Sequence, residues 1–413
     1  AAGPRGDPEV VRKFSRRVMD DPLLESVDPP CIDLEAWVEG TPPPAAETTA
    51  FLTTMQPLLD QAARLIDDPD LVISSRSLLP ATLPFTVSQQ QAAFNGIGTG
   101  GLIGYHLLTA WGLQACLEQD QAEAAFACLN RWMECMPPGG LPLDVMIHLA
   151  YSGQRDHAYL NAGLLGCVPS ERMQAWIREL PPDPESILAE ALAGERLVND
   201  AAYFPAERSG IYRACGLRLP DPLAEWYAWT IGPADRARWL SGQIAVERLV
   251  KAGGAPSPTR PTSATRLSGK ADRVIFPLSS FLNTSTCLSD FRSSLHRGDL
   301  VARLNRLALR LLLDARAGRS LPLDQSDCRR RHPVFFDLPA RRLGLVYEHL
   351  ADDRFRVGLD PAHLVPGAFQ PLTGGRITTP IGRPMGRHRL EQHLNGIELQ
   401  AFPATIPRRP VQP

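Results

Sequence analysis

Glu195 occupies the setting that most invites a chemical reading. It lies in "LAEALAGERLVND", residues 188–200, a stretch that reads as helix. On a helical wheel Leu188, Ala191, Leu192, Val198 and Ala202 share one face, and Glu195 projects into the middle of it. A carboxylate in an apolar stripe is costly unless it is neutral, paired or at the rim of a pocket. Arg196 diverges from it around the helix, so a partner must come from another helix. Arg131, Arg213 and Arg303 are the candidates the sequence offers. Glu195 and Arg196 are therefore the candidate buried charge pair or pocket residues. In one reading the pair is structural; in the other Glu195 is a ligand-binding or catalytic carboxylate.

Other constellations carry less chemistry. Asp144 and His148 are four apart and share a helix face, and His157 follows "LAYSGQRD". A metal site needs three or four ligands at firm spacing, and no HExxH, paired Cys/His set or calcium loop occurs. His388, Glu391 and His393 are close in sequence, but residues five apart do not face together on a helix. No GxSxG elbow occurs, and "YSGQR" around Ser152 lacks the first glycine and the preceding strand. "NGIGTGGLIG", residues 95–104, follows a helix-like segment rather than a strand, so it is not a dinucleotide fingerprint. Gly96, Gly100 and Gly104 recur every four residues, which puts them on one helix edge where a neighbour can approach closely. No catalytic, cofactor-binding or metal-ligating residue is assigned, and no cofactor is expected.

Eight cysteines are present, none in a CxxC pair. Cys128 and Cys135 are seven apart on one helix, about 10 Å along its axis, beyond disulfide reach. The net charge of −2 gives no general attraction to nucleic acid or anionic membrane. Of 43 basic residues only Lys13, Lys251 and Lys270 are lysine. Apolar residues make up 44% of the 413, enough for a large core. Residues 96–117 form the nearest approach to a membrane span, but six glycines, His106 and Gln114 favour a buried helix.

The elements that must position these residues are helices. "TTAFLTTMQPLLDQAARLI" carries apolar residues at Phe51, Leu52, Met55, Leu58, Leu59, Ala62 and Leu65, a 3.6-residue period. Asp183-Pro184 and Asp221-Pro222 each pair a capping residue with a proline at the first helical position. "LVARLNRLALRLLLDARAG" is the strongest amphipathic helix and stops at Gly318. "RRLGLVYEHLADDRFRVGL" reads as two strands about a turn at Asp352-Asp353. The predicted fold is mainly α: an irregular multi-helix bundle with a small C-terminal β-hairpin and extended Pro-rich termini. Residues 1–46 form a Pro-rich N-terminal arm with a helical patch near Val10–Met19. Residues 47–250 form a helical domain. Residues 251–272 are a linker or surface loop. Residues 273–360 supply a helix and hairpin that pack on the helical domain, and 361–413 an irregular tail.

Ala191, Leu192, Gly194, Glu195 and Arg196 match an Ala-Leu-x-Gly-Glu-Arg helix. Gly318-Arg319-Ser320-Leu321-Pro322 and residues 343–359 match a helix stop followed by a hairpin. In these features, over residues 85–360, the chain resembles uncharacterised membrane-anchored helical envelope proteins of planctomycete-like bacteria. The last unit also resembles the tail of type II secretion pseudopilins. The hairpin lacks the aspartate- and glycine-rich ending of both groups, so no calcium site is carried over.

The resemblance implies an envelope or periplasmic place, with an N-terminal signal or anchor before the small-residue start "AAG". In such a compartment at least one cysteine pair distant in sequence would be oxidised. The expected role is a non-enzymatic scaffold or accessory subunit held by other protein subunits, with no nucleic acid and no membrane contact beyond that anchor. The alternative is a small-ligand-binding protein or enzyme with a pocket around Glu195 and the glycine-rich helix 96–104, lined in part by Trp226, Tyr227 and Trp229.

Overall fold

The computed structural model describes residues 6–19, 21–23, 45–74, 77, 79, 89, 104–118, 120–138, 140–165, 170–203, 221–251, 287–338, 341–342, 344–351, 354–359 and 397–400. The protein is mainly α-helical. Asp7 caps α1 (Pro8–Phe14) by accepting from the Glu9 N–H, and a single π-turn (Ser15–Met19) continues it. α2 (Ala45–Ile66), α3 (residues 104–117) and α4 (Ala122–Cys135) follow. Next come α5 (Pro142–Leu165), α6 (Ser170–Arg178), α7 (Pro184–Tyr203), α8 (Asp221–Thr230) and α9 (Gly232–Lys251). The longest helix among the described residues is α10 (Cys287–Arg316), 30 residues or about 45 Å. The short helices α11 (Gln325–Arg331) and α12 (Pro333–Phe336) lead into the strands.

α10 organises the rest. Leu300, Leu304, Leu307 and Leu311 recur at three- and four-residue spacing and are buried, chiefly against α5. Each such leucine removed from water stabilises the fold by about 1.5–3 kcal/mol. The same core takes Phe51, Met55 and Leu59 of α2, Trp111 of α3, Trp132 of α4 and Trp176 of α6. The stripe expected on α2 is the one buried, with Ile66 in the core and Leu65 at its edge. A smaller cluster joins Val145 of α5, Leu188 and Leu192 of α7, and Phe291 and Leu295 of α10.

α10 ends as its sequence requires. Gly318 takes φ +76°, its N–H donates to the Ala315 carbonyl, and the Arg319 N–H donates to the Asp314 carbonyl. This is a Schellman arrangement, which satisfies carbonyls that would otherwise be orphaned at the helix end.

Two sequence expectations need correction. The N-terminal segment is not merely an arm: Val11, Phe14 and Val18 are buried in the main core, and Phe14 stands 5.5 Å from the Trp132 ring. The apolar residues of this patch recur every three or four positions, which is a packing pattern rather than a spacer pattern. The tail is not wholly irregular either. β3 (Leu345–Ala351) and β4 (Arg354–Leu359) form the expected antiparallel hairpin, and β5 (Ile397–Gln400) adds a third strand beside β4. A four-residue strand surrounded by Pro and Gly gives no recognisable period. β1 (Asp337–Leu338) and β2 (Arg341–Arg342) make a separate two-residue ladder. Tyr347, Phe355 and Val357 turn the larger sheet into the core. The predicted linker 251–272 apart from Lys251, which ends α9, most of the predicted tail, Gly96, Gly100 and the histidines at 388 and 393 lie outside the described residues.

Candidate functional site: the charged edge of the longest helix and its neighbours

α7, which carries Glu195, is placed by local chemistry. Asp183 Oδ2 accepts from the Ser186 N–H at 3.1 Å, and Pro184 follows the cap. Leu188, Ala191 and Leu192 are buried. Gly194 permits the approach that buries them: a Cβ there would lie 1.8 Å from the Gly140 carbonyl oxygen. Beyond Gly194 the face opens, and Glu195 and Val198 are half-buried.

Glu195 and Arg196 then part company. Burial raises the Glu195 pKa above the usual carboxylate range, while a hydrogen bond with Asn199, one turn on, works in the opposite direction. This partner differs from the arginine expected on another helix. Arg131 Nε donates to the Ile66 carbonyl, and Arg303 Nε sits 2.7 Å from Asp299 Oδ1; Arg213 lies outside the described residues. A half-buried carboxylate with a side-chain amide in reach does not require a cation. The cross-helix ion pair belongs instead to Arg196, whose Nε is 2.6 Å from Glu247 Oε1 on α9. Arg236 of α9 grips Asp200 of α7 through two bonds of 2.6 and 2.7 Å. The two pairs join α7 to α9.

A larger set of charges escaped the sequence reading. His296, Asp299, Arg303, Arg306, Arg310 and Asp314 recur every three or four residues along α10, so they form one edge beside the leucine stripe. The first four are almost wholly buried. At the start of α10, Glu185 Oε1 of α7 accepts from Arg292 Nη2 at 2.6 Å and makes a 2.8 Å hydrogen bond with His296 Nε2. Burial works to raise the Glu185 pKa, but its bonds to His296 and Arg292 prevail and hold it below the usual range.

At the middle of α10, Arg306 Nη1 meets Asp156 Oδ2 of α5 at 3.1 Å, and Trp176 Nε1 of α6 donates to Asp156 Oδ1 at 3.2 Å. The Arg306 guanidinium lies 4.6 Å from the centre of the Trp176 ring. Arg306 and Asp156 are each 1% exposed, so the pair fixes three helices with no access to solvent. The period of the charged edge was the signal that could have found it.

The C-terminal end of this edge is different because it opens onto a cavity of about 190 Å³. Asp314 accepts from Arg310 Nε at 3.1 Å and stands 3.0 Å from Arg319 Nη2. Arg331, held 2.8 Å from Asp327, and His332 complete the polar wall. Burial lowers the His332 pKa below the usual histidine range. Leu311, Leu321 and Pro322 supply an apolar wall.

The other chemistry-bearing residues have structural roles here. Asp144 Oδ2 accepts from the Leu141 N–H at the start of α5. His148 Nδ1 is 2.6 Å from the Met136 carbonyl oxygen, which joins α5 to the end of α4, and burial lowers its pKa to about 4. Cys116, Cys128, Cys135 and Cys328 are free thiols, and burial pushes Cys128 up to about 11 and Cys135 and Cys328 up to about 12. At Gly104 a Cβ would collide with the Tyr151 side chain, so this glycine of the 95–104 stretch permits close helix packing. Trp226 and Trp229 do not line a pocket with Tyr227: Tyr227 is buried, whereas both tryptophans are exposed. Residues three apart share a face of α8, and Tyr227 faces elsewhere.

Among the described residues no three His, Cys, Asp or Glu side chains are grouped to hold a metal ion. No helix of those residues is long and apolar enough to cross a membrane. No protein-family model matches the chain, and no curated protein or solved structure shows significant similarity to it.

Proposed function

We propose that the protein is a non-enzymatic scaffold or accessory subunit of a cell-envelope assembly, and that the exposed edge of α8 docks another protein subunit. The observation that carries this reading is the pair Trp226 and Trp229, 57% and 66% exposed on one edge of one helix. Each tryptophan can bury about 150–250 Å², and tryptophan is enriched among residues that dominate binding energy at protein interfaces. Leu197, exposed on α7, adds apolar surface in the same layer of helices, since α9 packs against both α7 and α8. The charged residues of α7 also support the reading. Glu185, Arg196 and Asp200 are engaged in joining helices rather than in facing a substrate.

The envelope location rests on the resemblance carried by the Gly194-Glu195-Arg196 helix and the C-terminal hairpin. The alternative pocket around Glu195 has less support. Asn199 bonds the carboxylate, and residues 96–103 of the glycine-rich stretch lie outside the described residues.

A photo-crosslinking amino acid placed at Trp229 tests the docking edge in native cells. The expected result is a discrete adduct with another protein, absent when the same group replaces Glu134, an exposed residue of α4. Adducts at neither position, or equal adducts at both, would contradict the proposal.

A further inference from the structure

We propose that the cavity at the C-terminal end of α10 binds a small organic carboxylate. The inference is independent of the docking role of α8, because the two surfaces share no residue.

Charge supports it first. Arg310, Arg319 and Arg331 line the cavity, and among the described residues they pair with two carboxylates, Asp314 and Asp327. Three guanidinium groups against two carboxylates leave one positive charge in excess. The two carboxylates also cannot saturate the donors. Arg310 gives Asp314 only its Nε, so among the described residues its terminal amino groups have no protein partner. Arg331 spends Nε and Nη2 on Asp327 and Nη1 on the Ser320 carbonyl, which fixes its plane as one wall of the cavity. Planar guanidinium groups with spare N–H donors are matched to a carboxylate in geometry as well as in charge.

Shape supports it next. About 190 Å³ is below the range for drug-sized ligands, so the occupant is small. Leu311, Leu321 and Pro322 are buried and present carbon to the same space. An inorganic anion would leave that wall unused, whereas an anion with a short apolar body covers it. The helix end competes little for the cations, because the Asp314 and Ala315 carbonyls already accept from the N–H groups of Arg319 and Gly318.

Succinate is the probe, with sulfate at equal ionic strength as the inorganic comparison, and titration calorimetry on the whole chain is the readout. Saturable succinate binding is expected, weakened at least about tenfold by Arg319→Gln, whose side chain is 56% exposed and so dispensable for folding. Arg236→Gln, in the α7–α9 joint, should leave it unchanged. Asp314→Asn removes the internal competitor and should tighten binding, which keeps the proposal testable if arginine variants fold poorly. No saturable heat with succinate, or an affinity untouched by Arg319→Gln, would overturn the site. Sulfate binding as tightly as succinate would overturn the assignment to an organic anion.

Discussion

At the scale of single residues, burial decides what each charge does. Asp156 and Arg306 are both nearly inaccessible, and Asp156 also accepts from the Trp176 indole. Asp156→Ala strands a buried guanidinium and an indole N–H, so urea unfolding should show a loss of about 3–5 kcal/mol. A loss below about 1 kcal/mol would mean that water reaches the pair. Glu195 behaves in the opposite sense. Its folded pKa is raised, chiefly by burial. The stability it contributes is full below its unfolded value near about 4.3 and is lost as pH rises through the folded value. Glu195→Gln should therefore gain on the wild type as pH rises from the acidic side of that window to neutrality. Identical pH profiles for the two proteins would refute the burial of Glu195.

His148 supplies an acid-side effect. Its folded pKa of about 4 lies below the unfolded value near about 6.5. Its contribution is present above about 6.5 and is lost as pH falls through the folded value. The wild type should lose up to about 3 kcal/mol across that window, and His148→Asn should show a flatter profile in thermal melts.

The Glu195 setting was legible as an apolar stripe with one carboxylate, but its partner was not. A wheel gives the phase of one helix and cannot give the residues that another helix brings near. Asn199 was within reach on the same helix and was the simpler answer.

At the scale of elements, helix starts and stops were the most legible features. Asp183-Pro184 and Gly318 act through hydrogen bonds local to their own sequence, so no tertiary knowledge is needed to place them. The charged edge of α10 was equally periodic, yet its role was not legible because sequence alone does not show Asp156 on α5 waiting opposite Arg306. β5 was illegible for a different reason. Four residues carry no period, and their pairing with β4 spans more than thirty intervening positions.

Gly194 connects sequence to packing directly. Its hydrogen faces the Gly140 carbonyl, and a methyl group there would force α7 away from the loop before α5. Gly194→Ala should cost about 1–3 kcal/mol despite the better helix propensity of alanine. Calorimetric melting decides this: a raised melting temperature would show that α7 does not sit against that loop.

At the scale of the whole molecule, two kinds of surface emerge from one mainly α fold. Glu185, Arg196 and Asp200 of α7 and Arg292, His296 and Arg306 of α10 join neighbouring helices, while α8 presents tryptophans outward. The fold class was readable from hydrophobic period and capping, whereas the exposed tryptophan edge of α8 was not. Trp226-Tyr227-Ala228-Trp229 is a cluster in sequence, and the packing of α8 on α9 decides that the tyrosine is buried and the tryptophans exposed. The exposed tryptophan edge of α8 is proposed to hold the protein in an assembly. The most direct test is the native particle size of the wild type and of the Trp226→Ser/Trp229→Ser double variant, measured by sedimentation of extracts from the native host. The prediction is a wild-type particle well above the 45.2 kDa chain and a double variant that sediments as the free chain with an unchanged melting temperature. Equal sedimentation of the two proteins, at either size, would contradict it.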